Sequence, residues 1–146
     1  MDQKVKQKLA LVYCTIPSFQ EIEQFKLLTS DYEVSFISTE SVCGYLAQIT
    51  TFDKLECVML ADYDQNPTYM PGLENTLQGF DIVVVKERMG FYAYQAIKAK
   101  LKYKFRLVVL VDNLMPLFAE DVEEIRTIRT EITNAADAFI VNSKAA

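Results

Sequence analysis

Residues 81–100, DIVVVKERMGFYAYQAIKAK, pass from one backbone regime to another in a single run. Ile82, Val83, Val84 and Val85 are β-branched, stiff at χ1, and suited to extended pairing. They do not alternate with polar residues, which is the signature of a strand covered on both faces. Gly90 then supplies a turn, and Tyr94, Ile97 and Leu101 recur at spacings of three and four. That periodicity predicts a helix over residues 90–102. A buried strand running straight into a helix is the building unit of a parallel α/β sheet.

The same unit repeats on either side. Upstream, the apolar run of residues 9–14 (LALVYC) predicts a first buried strand. Ser18 followed by Glu21 forms a capping-box pattern, so a helix is predicted over residues 19–28. Residues 32–38 return as a strand, residues 40–48 make a weaker helix interrupted by Gly44, and residues 55–61 predict a third strand. Residues 62–72, with Pro67, Pro71 and Gly72, read as a loop before a short helix over 73–77. Downstream, residues 105–111 (FRLVVLV) predict another strand and residues 119–135 a long helix beyond Pro116. Residues 137–141 close as a short strand, after which Asn142 and Ser143 have the character of a helix start. The expected architecture is one Rossmann-like three-layer α/β domain over residues 1–146, with a mostly parallel sheet of about six strands. An ending on a helix start predicts a domain cut from a longer chain.

Composition removes several function classes. With 146 residues the chain can bury a core without staples. A formal charge of −5 gives no general support to a nucleic-acid partner. The chain contains no histidine, so His-based triads and His-ligated metals drop out and no metal is expected. Cys14, Cys43 and Cys57 are far apart in sequence and lack zinc or redox spacing. Cys14 and Cys57 lie in apolar runs and are expected as buried, reduced thiols, pointing to a reducing, cytoplasmic compartment. No stretch reaches the roughly 18–20 apolar residues of a membrane span.

In an open α/β sheet, ligands bind beyond the carboxyl ends of the strands. The loop after the first strand carries no glycine, which argues against a dinucleotide or phosphate-loop site. A receiver-type signalling domain would need an acidic cluster after the first strand and a lysine after the fifth. Those positions hold Thr15-Ile16-Pro17 and Asp112-Asn113 instead.

Residues 81–96 carry a resemblance. Glu87 after the strand and Tyr92-Ala93-Tyr94-Gln95-Ala96 at the helix start resemble the N-terminal domain of family 4 glycosyltransferases, which have the GT-B fold. The VLVDNLMP turn at residues 109–116 and the stretch RTIRTEITNAADAFIVNS at 126–143 agree in order with that family. Residues 1–80 agree only in strand order.

The resemblance implies a two-domain enzyme that moves a sugar from a nucleotide-sugar donor to a glycan, lipid-linked or small-molecule acceptor, with retention of configuration. This chain would be the acceptor half and inactive alone, its partner the missing C-terminal domain that carries most of the donor chemistry. Glu87, Tyr92, Gln95 and Asn113 would bind acceptor, and Ser18 would lie near the donor diphosphate. No cofactor beyond the nucleotide-sugar substrate is implied. Many relatives place a histidine in this cleft, and this chain has none.

Plainer roles stand beside these: a solvated strand end for Glu87, a helix surface for Gln95, core packing for Tyr92, an Asx turn for Asn113 and a simple N-cap for Ser18. The basic run Lys98, Lys100, Lys102, Lys104 and Arg106 reads either as a peripheral membrane contact for a lipid-linked acceptor or as charge complementing a helix C-terminus. The other functional class is a stand-alone flavodoxin-like binding or signalling domain without catalysis.

Overall fold

The computed structural model describes residues 5–49, 56–66, 68–86, 90–111 and 123–141. Strands and helices alternate in chain order: β1 (Gln7–Val12), α1 (Phe19–Leu28), β2 (Tyr32–Thr39), α2 (Glu40–Ile49), β3 (Glu56–Leu60) and α3 (Leu73–Thr76). They continue as β4 (Ile82–Lys86), α4 (Phe91–Tyr103), β5 (Arg106–Val111), α5 (Glu123–Ala135) and β6 (Ala138–Val141). The sheet has six strands in the order β3-β2-β1-β4-β5-β6. Every pairing is parallel. Val12 pairs with Ile37 on one side and Val85 on the other, so β1 and β4 form the centre. The expected three-layer, Rossmann-like architecture is present.

Side-chain alternation explains the unbroken apolar runs. Leu9, Leu11 and Tyr13 point to the face covered by Ile22 and Phe25 of α1 and by Val42, Cys43 and Leu46 of α2. Ala10, Val12, Val83, Val85, Leu107 and Val109 point to the opposite face. There they meet Leu73 of α3, Tyr92, Ala93, Ala96 and Ala99 of α4, and Ile132 of α5. The run of alanines lets α4 lie close against the sheet, where larger side chains would hold it off.

Local signals carry through in places and are overridden in others. Ser18 and Glu21 form both halves of the capping box at α1. Helix α2 runs unbroken through Gly44, which is exposed. The glycine costs about 1 kcal/mol of propensity, less than the burial of Val42, Cys43 and Leu46 returns. The last turn of α4 ends on Lys104 in the left-handed region at φ 60°. The predicted long helix is described from Glu123 onward; residues 119–122, Asn142 and Ser143 lie outside the described residues.

One expectation is corrected at the sheet edge. β3 is a terminal strand, and its Glu56, Cys57 and Met59 are exposed. Cys57 is therefore not a buried thiol, because an edge strand with solvent beside it buries only part of its side chains. Cys43 is buried, while Cys14 is half-buried just beyond β1.

Candidate functional site

Strand order reverses between β1 and β4. From there, the chain after β1 turns into α1 on one face, and the chain after β4 turns into α4 on the other. Loops that diverge in this way leave a crevice at the carboxyl ends of the two strands. Among the described residues, Tyr13, Ser18 and Glu21 follow β1 there, while Lys86 closes β4 and Gly90 and Tyr92 open α4; Ser18 is exposed, and Tyr13, Lys86, Gly90 and Tyr92 are buried.

The centre of the α1 side is a carboxylate. Glu21 Oε2 accepts from the Tyr13 hydroxyl and from Lys86 Nζ, the latter at 3.1 Å. Glu21 Oε1 accepts from the Ser18 backbone N–H at 3.2 Å, while the Glu21 N–H donates to Ser18 Oγ at 3.1 Å. One side chain thus caps α1 and closes a buried ion pair; Lys86 and Glu21 expose only 10% and 14% of their side chains. Burial alone pushes the Glu21 carboxyl up. The Tyr13 hydroxyl, the Ser18 amide and Lys86 together outweigh that and hold it below its ordinary value.

Packing fixes the geometry. The Tyr13 ring is fully buried, 5.4 Å from both Phe25 and Phe36. Its backbone is clamped to β2: Tyr13 N–H donates to Ile37 O at 3.1 Å, and Ser38 Oγ donates to Tyr13 O at 2.5 Å. Lys86 Nζ lies 5.6 Å from the Tyr13 ring centroid, within cation–π range. The cation therefore has an aromatic face and a carboxylate as fixed neighbours.

On the α4 side, Thr68, from the loop between β3 and α3, satisfies the helix start. Phe91 N–H donates to Thr68 Oγ1 at 3.0 Å and Tyr92 N–H to Thr68 O at 2.8 Å. Gly90 leaves room for this arrangement. A Cβ there would run into the Tyr92 ring and sit 3.1 Å from Thr68 Cβ.

The sequence candidates separate. Ser18 stands at the crevice as the exposed N-cap of α1. Tyr92 is buried in the α4-side core. Gln95 is also buried: its Oε1 accepts from Met70 N–H at 2.9 Å, and its Nε2 donates to Met70 O at 2.8 Å and Glu74 Oε2 at 3.3 Å. Its amide is committed to the loop before α3 rather than to a helix surface. Glu87 and Asn113 lie outside the described residues. Lys100 of the basic run folds back onto Phe105 O at 3.0 Å and Asp137 Oδ2 at 2.5 Å, whereas Lys98, Lys102 and Lys104 are exposed.

Sequence reasoning missed the Tyr13–Glu21–Lys86 cluster. Its one legible trace is a lysine closing an otherwise apolar strand. The described residues contain no group of His, Cys, Asp and Glu suited to a metal. No described helix is long and apolar enough to cross a membrane.

No protein-family model matches the chain, and no curated protein matches it in sequence. Solved structures do match. A protein described as a UDP-N-acetylglucosamine 2-epimerase from Listeria monocytogenes aligns with a TM-score of 0.67 at 16% identity. That match covers 97% of this chain and 40% of the other. Phenylacrylic acid decarboxylase from Aquifex aeolicus aligns at 0.57 with 16% identity, over 95% of this chain and 83% of that one. An FMN-dependent cysteine decarboxylase of thioviridamide biosynthesis aligns at 0.57 with 10% identity, over 97% and 91%. These proteins share the fold with this chain.

Proposed function

We propose that this domain is the acceptor-side half of a nucleotide-sugar-dependent glycosyltransferase with two Rossmann-like domains. One observation carries the reading. Parallel pairing of β1 with β4 puts Tyr92 to Ala96, the described part of the stretch that carries the family resemblance, across the switch point from the capped start of α1. In a two-domain transferase that crevice faces the cleft, and groups on its two lips meet acceptor and donor together. A carboxylate held ionised beside a lysine can orient sugar hydroxyls, which both donate and accept hydrogen bonds. On this reading Glu87 and Asn113 bind acceptor, Gln95 and Tyr92 shape the α4 side of the acceptor site from within the core, and Ser18 approaches the donor diphosphate. The partner is a second domain carrying most of the nucleotide site. The acceptor is a glycan, a small molecule or a lipid-linked sugar, the last presented at a membrane surface near Lys98, Lys102 and Lys104. The reaction retains configuration, needs no metal, and takes place in the cytoplasm.

A stand-alone binding domain is the competing reading. On that reading the chain is flavodoxin-like and does no catalysis; the observation beside it is that the fold it shares with the cysteine decarboxylase fills 91% of that chain.

Calorimetric titration of the 146-residue chain separates the two. Nucleotide sugars are expected to bind weakly or not at all, and the full-length protein is expected to release nucleotide from one of a donor panel. Saturable binding of a nucleotide sugar or of FMN at micromolar concentration by this domain alone, without transfer by the full-length protein, would overturn the proposal.

A further inference from the structure

Cys43 and Cys57 are fourteen positions apart in the chain, yet their sulfurs lie 3.3 Å from each other. Both are free thiols. Cys43 is buried on α2, where its sulfur also approaches Val58 O at 4.0 Å. Cys57 is exposed on the edge strand β3. A second contact holds the two elements in register: Ser41 Oγ of α2 donates to Asp62 Oδ2, just beyond β3, at 2.7 Å. A disulfide bond needs sulfurs at about 2.05 Å, so closure requires an approach of roughly 1.3 Å, within reach of small side-chain rotations.

We propose that Cys43 and Cys57 form a reversible dithiol–disulfide site, oxidised by low-molecular-weight disulfides, that locks the edge strand β3 onto α2. The two thiols have different parts. Either sulfur can donate across the contact, but the buried Cys43 has less access to water and keeps its proton. Its hydrogen bond pulls the Cys57 thiol down to about 7, against the opposing effect of burial. The same contact, together with burial, pushes Cys43 well up. Exposure and thiolate character together make Cys57 the attacking sulfur. Glu56 and Asp62 are the charged neighbours; Asp62 acts on Cys43 and further opposes its ionisation.

The exchange balances in two steps. Cys57 thiolate attacks one sulfur of R–S–S–R, forming Cys57–S–S–R and expelling R–S⁻. Cys43 then loses its proton and attacks Cys57 Sγ, forming the Cys43–Cys57 bond and expelling the second R–S⁻. Two protein thiols lose two electrons; the small disulfide gains them and leaves as two thiols. The consequence reaches past the edge. β3 leads into the loop whose Thr68 caps α4 and whose Met70 is held by Gln95, so the lock braces one wall of the switch-point crevice.

The test is equilibration of the whole chain with oxidised and reduced glutathione, read by intact mass and peptide mapping. The expected product is lighter by about 2 Da, retains no glutathione, and contains Cys43 linked to Cys57. Reduction with dithiothreitol should reverse it. Cys43→Ser should trap one glutathione on Cys57, and Cys57→Ser should abolish the reaction. Disulfide formation is expected to raise the thermal midpoint by about 5–10 °C. A wild-type protein that keeps glutathione on Cys57 without closing the bond, one whose two thiols both stay reduced, or an oxidised form with no rise in midpoint would overturn the proposal.

Discussion

Lys86 Nζ lies 3.1 Å from Glu21 Oε2, tying the last residue of β4 to the first turn of α1 across the point where strand order reverses. The contact is almost enclosed, so its two members depend on each other more than exposed ions would. Lys86→Met keeps most of the side-chain volume but leaves the Glu21 carboxylate buried without its cation. The expected cost is about 2–4 kcal/mol by urea unfolding. Glu21→Gln in the Lys86→Met background should recover part of it. Equal losses from Lys86→Met with and without Glu21→Gln would show that the two residues are not coupled.

The acid limb of stability follows from the same carboxylate. Glu21 is held below its ordinary value of 4.5 in the folded protein. Below that value the unfolded chain binds the proton more readily than the folded one, so stability rises with pH there. Its contribution is present above about pH 4.5 and is lost as pH falls through the folded value. Urea midpoints measured from pH 7 to pH 3 should fall less steeply for Glu21→Gln than for wild type. Asp137, lowered by Lys100 and the Leu107 amide, titrates in the same direction and remains in the variant, so a residual slope is expected.

Gln95 is expected to act through the loop it holds. Gln95→Leu removes the side-chain acceptor of the buried Met70 N–H, while the Met70 C=O keeps the Leu73 N–H at 3.1 Å, and should destabilise by about 1–3 kcal/mol. Amide exchange at Met70 should accelerate along with that at Phe91 and Tyr92, which Thr68 of the same loop caps. Unchanged exchange at Phe91 and Tyr92 would separate the clamp from the helix start.

At the start of α4, Gly90→Ala is expected to cost about 1–3 kcal/mol, since the new methyl meets the Tyr92 ring and Thr68. At the other end, Lys104→Gly should stabilise by about 0.5–1 kcal/mol, because glycine adopts φ 60° without the Cβ penalty that lysine bears. Thermal unfolding measures both. A lower midpoint for Lys104→Gly would mean that the lysine side chain contributes more than its backbone strain costs.

Much of the fold was legible because its causes are local. The capping box needs only Ser18 and Glu21, three residues apart, and the helix it starts ends at Leu28 as expected. Strands β1, β4 and β5 announce themselves because a central parallel strand is apolar on both faces. β3 is a strand where expected, but its exposure is not legible for the same reason: its sequence is as apolar as theirs, and whether solvent lies beside a strand depends on its rank in the sheet. Cys57 accordingly changed from a buried thiol into an exposed one facing Cys43. Gln95, open to a helix-surface role by its place in the sequence, is buried because the loop before α3 folds over it.

Chain order and residue type by themselves determined a strand–helix alternation, the absence of histidine chemistry and the glycine-free first loop. Only the tertiary structure decided that Tyr13, Glu21 and Lys86 share one carboxylate, since Glu21 and Lys86 are 65 positions apart and meet only because β1 and β4 are neighbours. Periodicity reports which face of an element is apolar. It carries no information about which element lies alongside, and a site at a switch point is made entirely of that second kind of fact.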